Sequence, residues 1–180
     1  SLVDLATRLG SWDETVQLWD AHPVEVLLTM LGDTPMVAAH LNYITEHHVA
    51  LLAESQITVA YCPRSSAYFG HKHHRIQEML AAGVSVALGT DSLICLDTPD
   101  RISVLDEMRL LFRRGGIDSS TLIAMATING ARALGEDQSI LTLETGMVAG
   151  LIAIETTMET PFASAMESSK APTWIVPLGA

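Results

Sequence analysis

The sequence predicts an α/β fold in which short parallel strands alternate with helices. Three apolar runs rich in Val and Ala, at residues 36–39, 57–61 and 84–88, are separated by amphipathic segments. This alternation is typical of βαβ units. His40 and Asp91 directly follow the first and third runs. Parallel α/β folds carry their chemistry at the carboxyl ends of strands, so this pair is the first candidate site.

The helices before the third run are predicted from apolar spacing and from the residues that start and stop helices. Residues 2–9 place apolar side chains on one helical face, and Gly10 ends that face. Pro23 suits the first position of a second helix that ends at Gly32. Thr45 is expected to cap a third helix, with His47 and His48 at the surface. Residues 64–74 are expected to form a polar, aromatic and histidine-rich loop, followed by a helix from Ile76.

The rest of the chain is predicted to be helical up to Gly135 and then to change character. One helix is expected over residues 102–111 and a single further helix from Ser119 through Ala133, where Gly135 ends it. Residues 139–155 and 173–178 read as short strands with no helix between them. These patterns indicate an α/β body over residues 1–135 and a small β element over residues 136–180.

Composition narrows the class of protein. The chain has 180 residues, 48% hydrophobic and 17% charged, which is typical of globular proteins. A net charge of −11 argues against nucleic acid and anionic membranes as partners. No apolar run approaches the about 20 residues of a membrane span, and no signal-peptide layout is present. Two cysteines make no disulfide framework, so a reducing cytoplasm is expected. The mean hydropathy of +0.29 indicates either a tightly double-layered fold or apolar surface that further polypeptide covers.

His40 and Asp91 could serve chemistry or structure. An imidazole and a carboxylate are natural ligands of a divalent metal, which turns a bound water into a nucleophile near neutral pH. A histidine after an apolar run can equally be a hydrogen-bonded core residue. An aspartate after Gly-Thr can equally cap the next helix. The residue pattern alone leaves these alternatives open.

Several ordered motifs add a family resemblance to this pattern. They are Ala39-His40, Tyr61-Cys62-Pro63-Arg64-Ser65, Ala87-Leu88-Gly89-Thr90-Asp91-Ser92, Leu105-Asp106-Glu107-Met108-Arg109 and the run from Ala126 to Gly135. Together they resemble the C-terminal half of the amidohydrolase superfamily, in its deaminase and chlorohydrolase branch. The similarity extends over roughly residues 23–154.

The resemblance implies a fold, a cofactor and a reaction. The fold would be the C-terminal part of a TIM-like (β/α)8 barrel, followed by a small appended β-sandwich over residues 136–180. One divalent metal, zinc rather than iron, would activate water. Asp91 would be a metal ligand and proton shuttle, and His40 would polarise the attacked group or bind the metal. The expected reaction is hydrolytic deamination of an aminated N-heterocycle, of purine or pyrimidine type or a nucleoside.

Other residues are assigned to the site more loosely. Glu14 lies in Ser11-Trp12-Asp13-Glu14-Thr15, the nearest match to the family's His-x-x-Glu-Thr motif, and is a candidate general acid/base or a surface residue. In the loop, Phe69, His71 and His74 suit a flat heterocyclic substrate, although a second metal site or a solvated loop would show the same residues. Substrate binding is also predicted for Ser92 and for Arg64, which could instead pair with a neighbouring acid. Cys62 is expected to be buried and unreactive.

The sequence also departs from the family pattern. The first-strand His-x-His pair has no counterpart in a suitable place, Ser11 stands in a ligand position, and Tyr61 stands where many relatives have histidine. Met147 and Gly150 replace the usual lysine and aspartate. A catalytic zinc takes three protein ligands, and three strands cannot close a barrel of eight.

These departures leave several interpretations of the chain. It could be a fragment, one chain of a split enzyme, a sequence joined across missing stretches near Gly10–Ser11, or a catalytically silent half-barrel. A homo-oligomer or a missing N-terminal half would complete it. Chlorohydrolase and amide-hydrolase activities stay open within the family. A nucleotide-binding domain is disfavoured because no Gly-rich loop follows any strand.

Overall fold

A computed structural model describes residues 2–15, 20–98, 100–142 and 150–176. The chain divides into two compact units, Ser1–Gly32 and Asp33–Ala180. The first unit contains α1 (Leu2–Arg8) and α2 (Pro23–Leu31), as the apolar spacing predicts. Pro23 occupies the first turn of α2, and His22 Nδ1 accepts a hydrogen bond from the Val24 N–H at 3.2 Å. The domain boundary near residue 135 stays a prediction.

The second unit is built on a parallel sheet of β1 (Met36–Ala39), β2 (Ile57–Tyr61) and β3 (Ser85–Leu88), in the order β1-β2-β3. Helix α3 (Glu46–Ala53) links β1 to β2, and α4 (Pro63–Tyr68) and α5 (Ile76–Ala81) link β2 to β3. The register pairs Ala39 with Ala60 and Tyr61 with Leu88. The three carboxyl ends therefore meet at one edge. The predicted α/β class is confirmed.

The start of α3 corrects one expectation. Thr45 has extended backbone geometry, and its N–H donates to His48 Nδ1 at 2.9 Å. His48 is consequently buried, with 5% of its surface exposed. Its expected surface position is wrong because the imidazole replaces the glutamate of a capping box.

The segment after β2 also differs from expectation, since residues 63–68 form α4 instead of a loop. Pro63 occupies its first turn, where a missing N–H costs nothing. Arg64, Ser65 and Ser66 are all buried in this turn. Periodicity did not predict this helix because its first turn is polar and its polar groups bind distant parts of the chain.

Three helices follow β3 and a short 3-10 turn at Leu93–Cys95: α6 (Val104–Arg114), α7 (Ser119–Ala126) and α8 (Ile128–Leu134). The single helix predicted over 119–133 is interrupted at Thr127, whose φ and ψ are −132° and −88°. The Thr127 hydroxyl donates to the Ile123 carbonyl at 2.7 Å. The break allows Asn129 Nδ2 to donate to the Val86 carbonyl at 2.7 Å, which ties α8 to β3.

The C-terminal segment contains β4 (Leu151–Ala153), α9 (Pro161–Glu167) and β5 (Thr173–Val176). β4 and β5 pair antiparallel. The expectation of no helix between the predicted strands is wrong, because Ala165 and Met166 of α9 are buried and the helix packs on α6. The predicted strand over 139–155 is seen at Leu151–Ala153, while a 3-10 turn occupies Gln138–Leu141. Residues 143–149 of that prediction, Met147 included, lie outside the described residues.

A charged network fastens α6 to this segment. Asp106 lies between Arg101 and Arg109, with Oδ2 2.8 Å from Arg101 Nε and Oδ1 2.9 Å from Arg109 Nη1. Burial opposes ionisation of Asp106, but the hydrogen bonds from the two arginines outweigh it and lower the pKa of this carboxyl. Arg109 Nε also donates to the Ala165 carbonyl at 3.1 Å.

Among the described residues, no helix has the length and apolar character to cross a membrane.

Candidate active site

His40 and Asp91 lie side by side at the carboxyl edge of the parallel sheet. His40 follows β1, and its N–H extends the strand ladder by donating to the Ala60 carbonyl at 2.9 Å. Asp91 follows β3 on the other side of β2. His40 Nε2 is 3.8 Å from Asp91 Oδ2, and the two side chains are 39% and 28% exposed. A small ligand can therefore reach both groups at once.

The backbone at this pair is strained. Among the described residues, the non-glycine residues with positive φ are His40 at 66°, Leu41 at 51° and Asp91 at 58°. The left-handed conformation costs an L-residue roughly 1–2 kcal/mol. Such conformations persist where surrounding contacts hold them, and they concentrate at functional sites. The three strained residues all lie at the strand ends that present the imidazole and the carboxylate.

The Asp91 carboxylate is held at both oxygens. The Ser65 hydroxyl donates to Oδ2 at 2.5 Å, and the Ser92 N–H donates to Oδ1 at 2.7 Å. The Ser65 hydrogen bond is the main cause of a lowered pKa for Asp91. Asp91 is therefore an ionised acceptor at neutral pH, suited to bind a cation or take a proton.

Ser92 has the capping role that the sequence left open for Asp91. The Ser92 Oγ accepts a hydrogen bond from the Ile94 N–H at 3.4 Å and caps the 3-10 turn. Ser92 is exposed beside Asp91. Its assignment to substrate binding stays a prediction.

His74 supports the His40 turn from behind. Its Nε2 lies 2.7 Å from the His40 carbonyl oxygen, and its ring stacks on Tyr61 with 3.8 Å between centroids. A carbonyl oxygen only accepts, so Nε2 carries the hydrogen. Burial lowers the pKa of His74, which keeps the ring neutral. The structure thus places His74 against the backbone of His40, and Tyr61 takes part in this support instead of offering an imidazole.

The other predicted loop residues lie further out. His71 is half-buried with its ring edge-on to Tyr43, 5.1 Å between centroids. With His74 and Arg114 it lines a cavity of about 490 Å³. Phe69 is 61% exposed and packs edge-on against Tyr68. The structure does not bring Phe69 or His71 into hydrogen-bond or ring contact with His40 or Asp91.

Arg64 pairs with neighbouring acids, which was the alternative to substrate binding in the sequence analysis. Only 5% of Arg64 is exposed, and its Nε donates to Glu107 Oε1 at 2.7 Å. Its Nη1 also contacts Asp97 Oδ1 at 3.1 Å and Thr98 Oγ1 at 2.8 Å. Burial raises the pKa of the Glu107 carboxyl, and the hydrogen bonds from Arg64 oppose that shift. A guanidinium with these partners has its hydrogen bonds satisfied within the chain, and its assignment to substrate binding stays a prediction.

Cys62 is buried as expected, with 4% of its surface exposed. Burial raises the pKa of its thiol to about 12. It is therefore no nucleophile.

Glu14 lies in the N-terminal unit and is exposed, in a turn where Asp13 Oδ1 accepts from the Thr15 N–H at 2.8 Å. Its acid/base assignment stays a prediction.

Sequence reasoning missed Ser65 and Ser66 as parts of the site. Both follow the central strand at the same edge as His40 and Asp91, and that position was the available signal. It also missed Glu107. The available signal was an acidic residue on the predicted helix that follows the third strand.

His40 and Asp91 are the candidate metal ligands of this edge. In the part of the chain that the structure describes, no cluster of three or more His, Cys, Asp and Glu side chains could hold a metal ion. His40 and Asp91 offer an imidazole nitrogen and an ionised carboxylate oxygen on one open edge, which are donors that zinc accepts. The pair fits a divalent metal as two of its ligands.

Parallel strands with an imidazole and a carboxylate at their shared carboxyl edge are typical of α/β proteins that carry their chemistry at the ends of strands. Comparison with known proteins makes the assignment specific. The model of the amidohydrolase family matches residues 15–176, and the chain belongs to this family.

Curated relatives agree with this membership, and a solved structure has a similar fold. The chain is 36% identical over 160 residues to a 5-methylthioadenosine/S-adenosylhomocysteine deaminase of Moorella thermoacetica, covering 85% of this chain and 37% of that protein. It is 33% identical over 128 residues to an S-triazine hydrolase of Gordonia rubripertincta, covering 68% and 27%. An adenosine deaminase structure from Xanthomonas campestris matches with a TM-score of 0.65 at 20% identity, covering 92% of this chain and 38% of that one. The chain thus spans well under half of these proteins.

Proposed function

We propose that these residues form the C-terminal part of a metal-dependent amidohydrolase that deaminates an aminated N-heterocycle. The observation that carries the proposal is the His40–Asp91 pair, 3.8 Å apart on a strained carboxyl edge. The deaminase names of relatives at 27% to 36% identity support the same reaction class. Cytoplasmic location and self-association stay predictions from the sequence.

The proposed architecture is a TIM-like barrel to which this chain gives three parallel strands. An eight-stranded barrel needs five more, and the chain spans 37% of the Moorella relative. The match to the Xanthomonas fold over 92% of this chain supports that placement. The antiparallel pair β4–β5 would belong to a small β-sandwich.

His40 and Asp91 would be two of the ligands of one divalent metal. Zinc is favoured because the Xanthomonas structure was solved with it. When bound, such an ion lowers the pKa of water and polarises the attacked group. Further ligands would come from polypeptide outside the described residues.

The residues of this chain would move the protons. Asp91, ionised and fixed by two hydrogen bonds, takes a proton from water as the water oxygen bonds to the ring carbon that bears the amino group. His40 stabilises the developing charge on that oxygen. Asp91 then returns the proton to the amino nitrogen. The C–N bond breaks with its electron pair on nitrogen, and ammonia leaves. The remaining ring hydroxyl becomes a carbonyl when its proton moves to the adjacent ring nitrogen.

The test uses the complete polypeptide that carries this sequence, loaded with zinc. Ammonia release would be measured with adenosine, 5-methylthioadenosine and S-adenosylhomocysteine. Asp91→Asn and His40→Ala should each lower kcat by at least about 100-fold, because general acid–base catalysis contributes that much. Asp100→Asn is the matched control, since Asp100 is 73% exposed. Undiminished turnover in Asp91→Asn would contradict the proposal.

A second candidate is hydrolysis of a substituted triazine, which the identity to the Gordonia enzyme favours. The same water attack would then expel a different leaving group. Parallel assays on an aminated and a chlorinated triazine, measuring ammonia and chloride, separate the two functions. Chloride release without any nucleoside deamination would replace the first proposal with the second.

A further inference from the structure

We propose that the first turn of α4 positions both candidate catalytic groups, through Ser65 for Asp91 and Ser66 for the turn after His40. We call these two serines the α4 bracket. The inference rests on the proposed function, since it assigns the bracket to that site. Its special feature is the place of α4, which follows the central strand β2 and lies between the ends of β1 and β3.

Ser65 fixes the carboxylate. Its hydroxyl donates to Asp91 Oδ2 at 2.5 Å, the same oxygen that lies 3.8 Å from His40 Nε2. Ser65 is 2% exposed, so the donor of this hydrogen bond is shielded from solvent. Asp91 has a φ of 58°, a left-handed backbone conformation that L-residues seldom adopt. The Ser65 hydroxyl therefore helps to aim the carboxylate toward the imidazole.

Ser66 fixes the other side of the site. Its hydroxyl donates to Asn42 Oδ1 at 2.9 Å, and Ser66 is also 2% exposed. Asn42 is two residues beyond His40 and directly follows the two left-handed residues His40 and Leu41. A side-chain hydrogen bond at this point pins the end of the strained turn.

The bracket itself is anchored to α6. The Arg64 N–H donates to Glu107 Oε2 at 2.9 Å, and Arg64 Nε donates to Oε1 at 2.7 Å. Glu107 is fully buried, so this anchor is shielded from solvent. Pro63 precedes Arg64 in this turn, so a proline and the Arg64–Glu107 ion pair both restrain the first turn of α4. The adjacent hydroxyls of Ser65 and Ser66 therefore donate from a restrained turn to the segments that follow β3 and β1.

Such outer-shell hydrogen bonds orient ligands, and their loss typically lowers metal affinity or activity about 10- to 100-fold. We expect Ser65→Ala to show a loss of this size in zinc affinity or in kcat, with KM little changed. Ser65→Thr retains the hydroxyl and should recover most of the loss. Ser66→Ala should have a smaller effect than Ser65→Ala on both zinc affinity and kcat, because its hydroxyl holds Asn42, two residues beyond His40, and does not contact the imidazole.

The experiment compares these variants in the complete polypeptide by zinc dissociation constants from chelator competition, kcat and KM, and crystal structures. Ser85→Ala is the matched control, because Ser85 receives the Thr58 hydroxyl at 3.1 Å at the opposite end of β3. The control should retain wild-type zinc affinity and kcat. The crystal structure of Ser65→Ala should show a rotated Asp91 side chain.

The outcomes separate the two proposals. If wild-type protein neither binds zinc nor deaminates, the proposed function fails, and the Asp91 orientation in the Ser65→Ala crystal still decides the positioning claim. Two results in Ser65→Ala would together contradict the positioning role of the α4 bracket: an Asp91 side chain in its wild-type position, and, where zinc binds, a zinc affinity within about twofold of wild type. If Ser65→Ala does not fold, the same comparison is made with Ser66→Ala and the position of the His40 turn.

Discussion

Replacing Glu107 with alanine should strongly destabilise the second unit. Glu107 has no exposed surface and accepts two hydrogen bonds from Arg64, at 2.9 and 2.7 Å. Hydrogen bonds to charged groups contribute about 1.5–3 kcal/mol each. The substitution also leaves the Arg64 guanidinium, 5% exposed, without its buried partner. The acid that still pairs with it, Asp97, has a side chain 77% exposed to solvent. Breaking a buried pair in this way costs about 3–5 kcal/mol, and the two estimates agree.

Urea denaturation of the complete polypeptide measures this loss. Glu107→Gln keeps one acceptor oxygen and should fall between wild type and Glu107→Ala. Asp97→Asn removes only the exposed end of the network and should cost less than about 1 kcal/mol. A Glu107→Ala variant within about 1 kcal/mol of wild type would refute the reasoning that this pair anchors α4.

Three further predictions follow from buried contacts. Because two arginines lower the pKa of Asp106, its ionised form stabilises the fold above its unfolded pKa, and this contribution is lost as the pH falls through the lower folded value. The free energy of unfolding should therefore fall less steeply with decreasing pH in Asp106→Asn, and as in wild type in Asp100→Asn, as followed by circular dichroism. Gly89→Ala should cost about 1–3 kcal/mol in urea, because a Cβ would lie 2.9 Å from Cys62 Sγ, and adding Cys62→Ala should restore much of it. The Cys62 thiol, with a pKa of about 12, should resist iodoacetamide at pH 8 until the protein unfolds, and rapid labelling mapped by mass spectrometry would contradict its burial.

The parallel sheet was predictable because its signals are local. Val59 and Val86 lie in short apolar runs, and both are fully buried. Turn residues flank these runs, so the strand ends could be placed to within a residue. Placing the ends also placed His40 and Asp91 at one edge, since parallel strands share their carboxyl side.

Helix α4 and its contacts were not predictable because their causes are distant in sequence. Ser65 binds a carboxylate 26 residues away, and Arg64 binds one 43 residues away. Read locally, this segment is polar and resembles a loop. Likewise, Asn129, just after the break at Thr127, donates to the Val86 carbonyl, 43 residues earlier in the chain. Hydrophobic periodicity reports none of these long-range hydrogen bonds.

The most direct test of the central claim, that Asp91 and His40 bind a catalytic metal, is native mass spectrometry of the complete polypeptide. Wild type should carry one zinc ion per chain, and Asp91→Asn should lose most of it while keeping its fold. Asp100→Asn, with its exposed side chain, should retain the ion. Zinc retained at full stoichiometry in Asp91→Asn, or metal-free wild-type protein after purification with zinc, would contradict the claim.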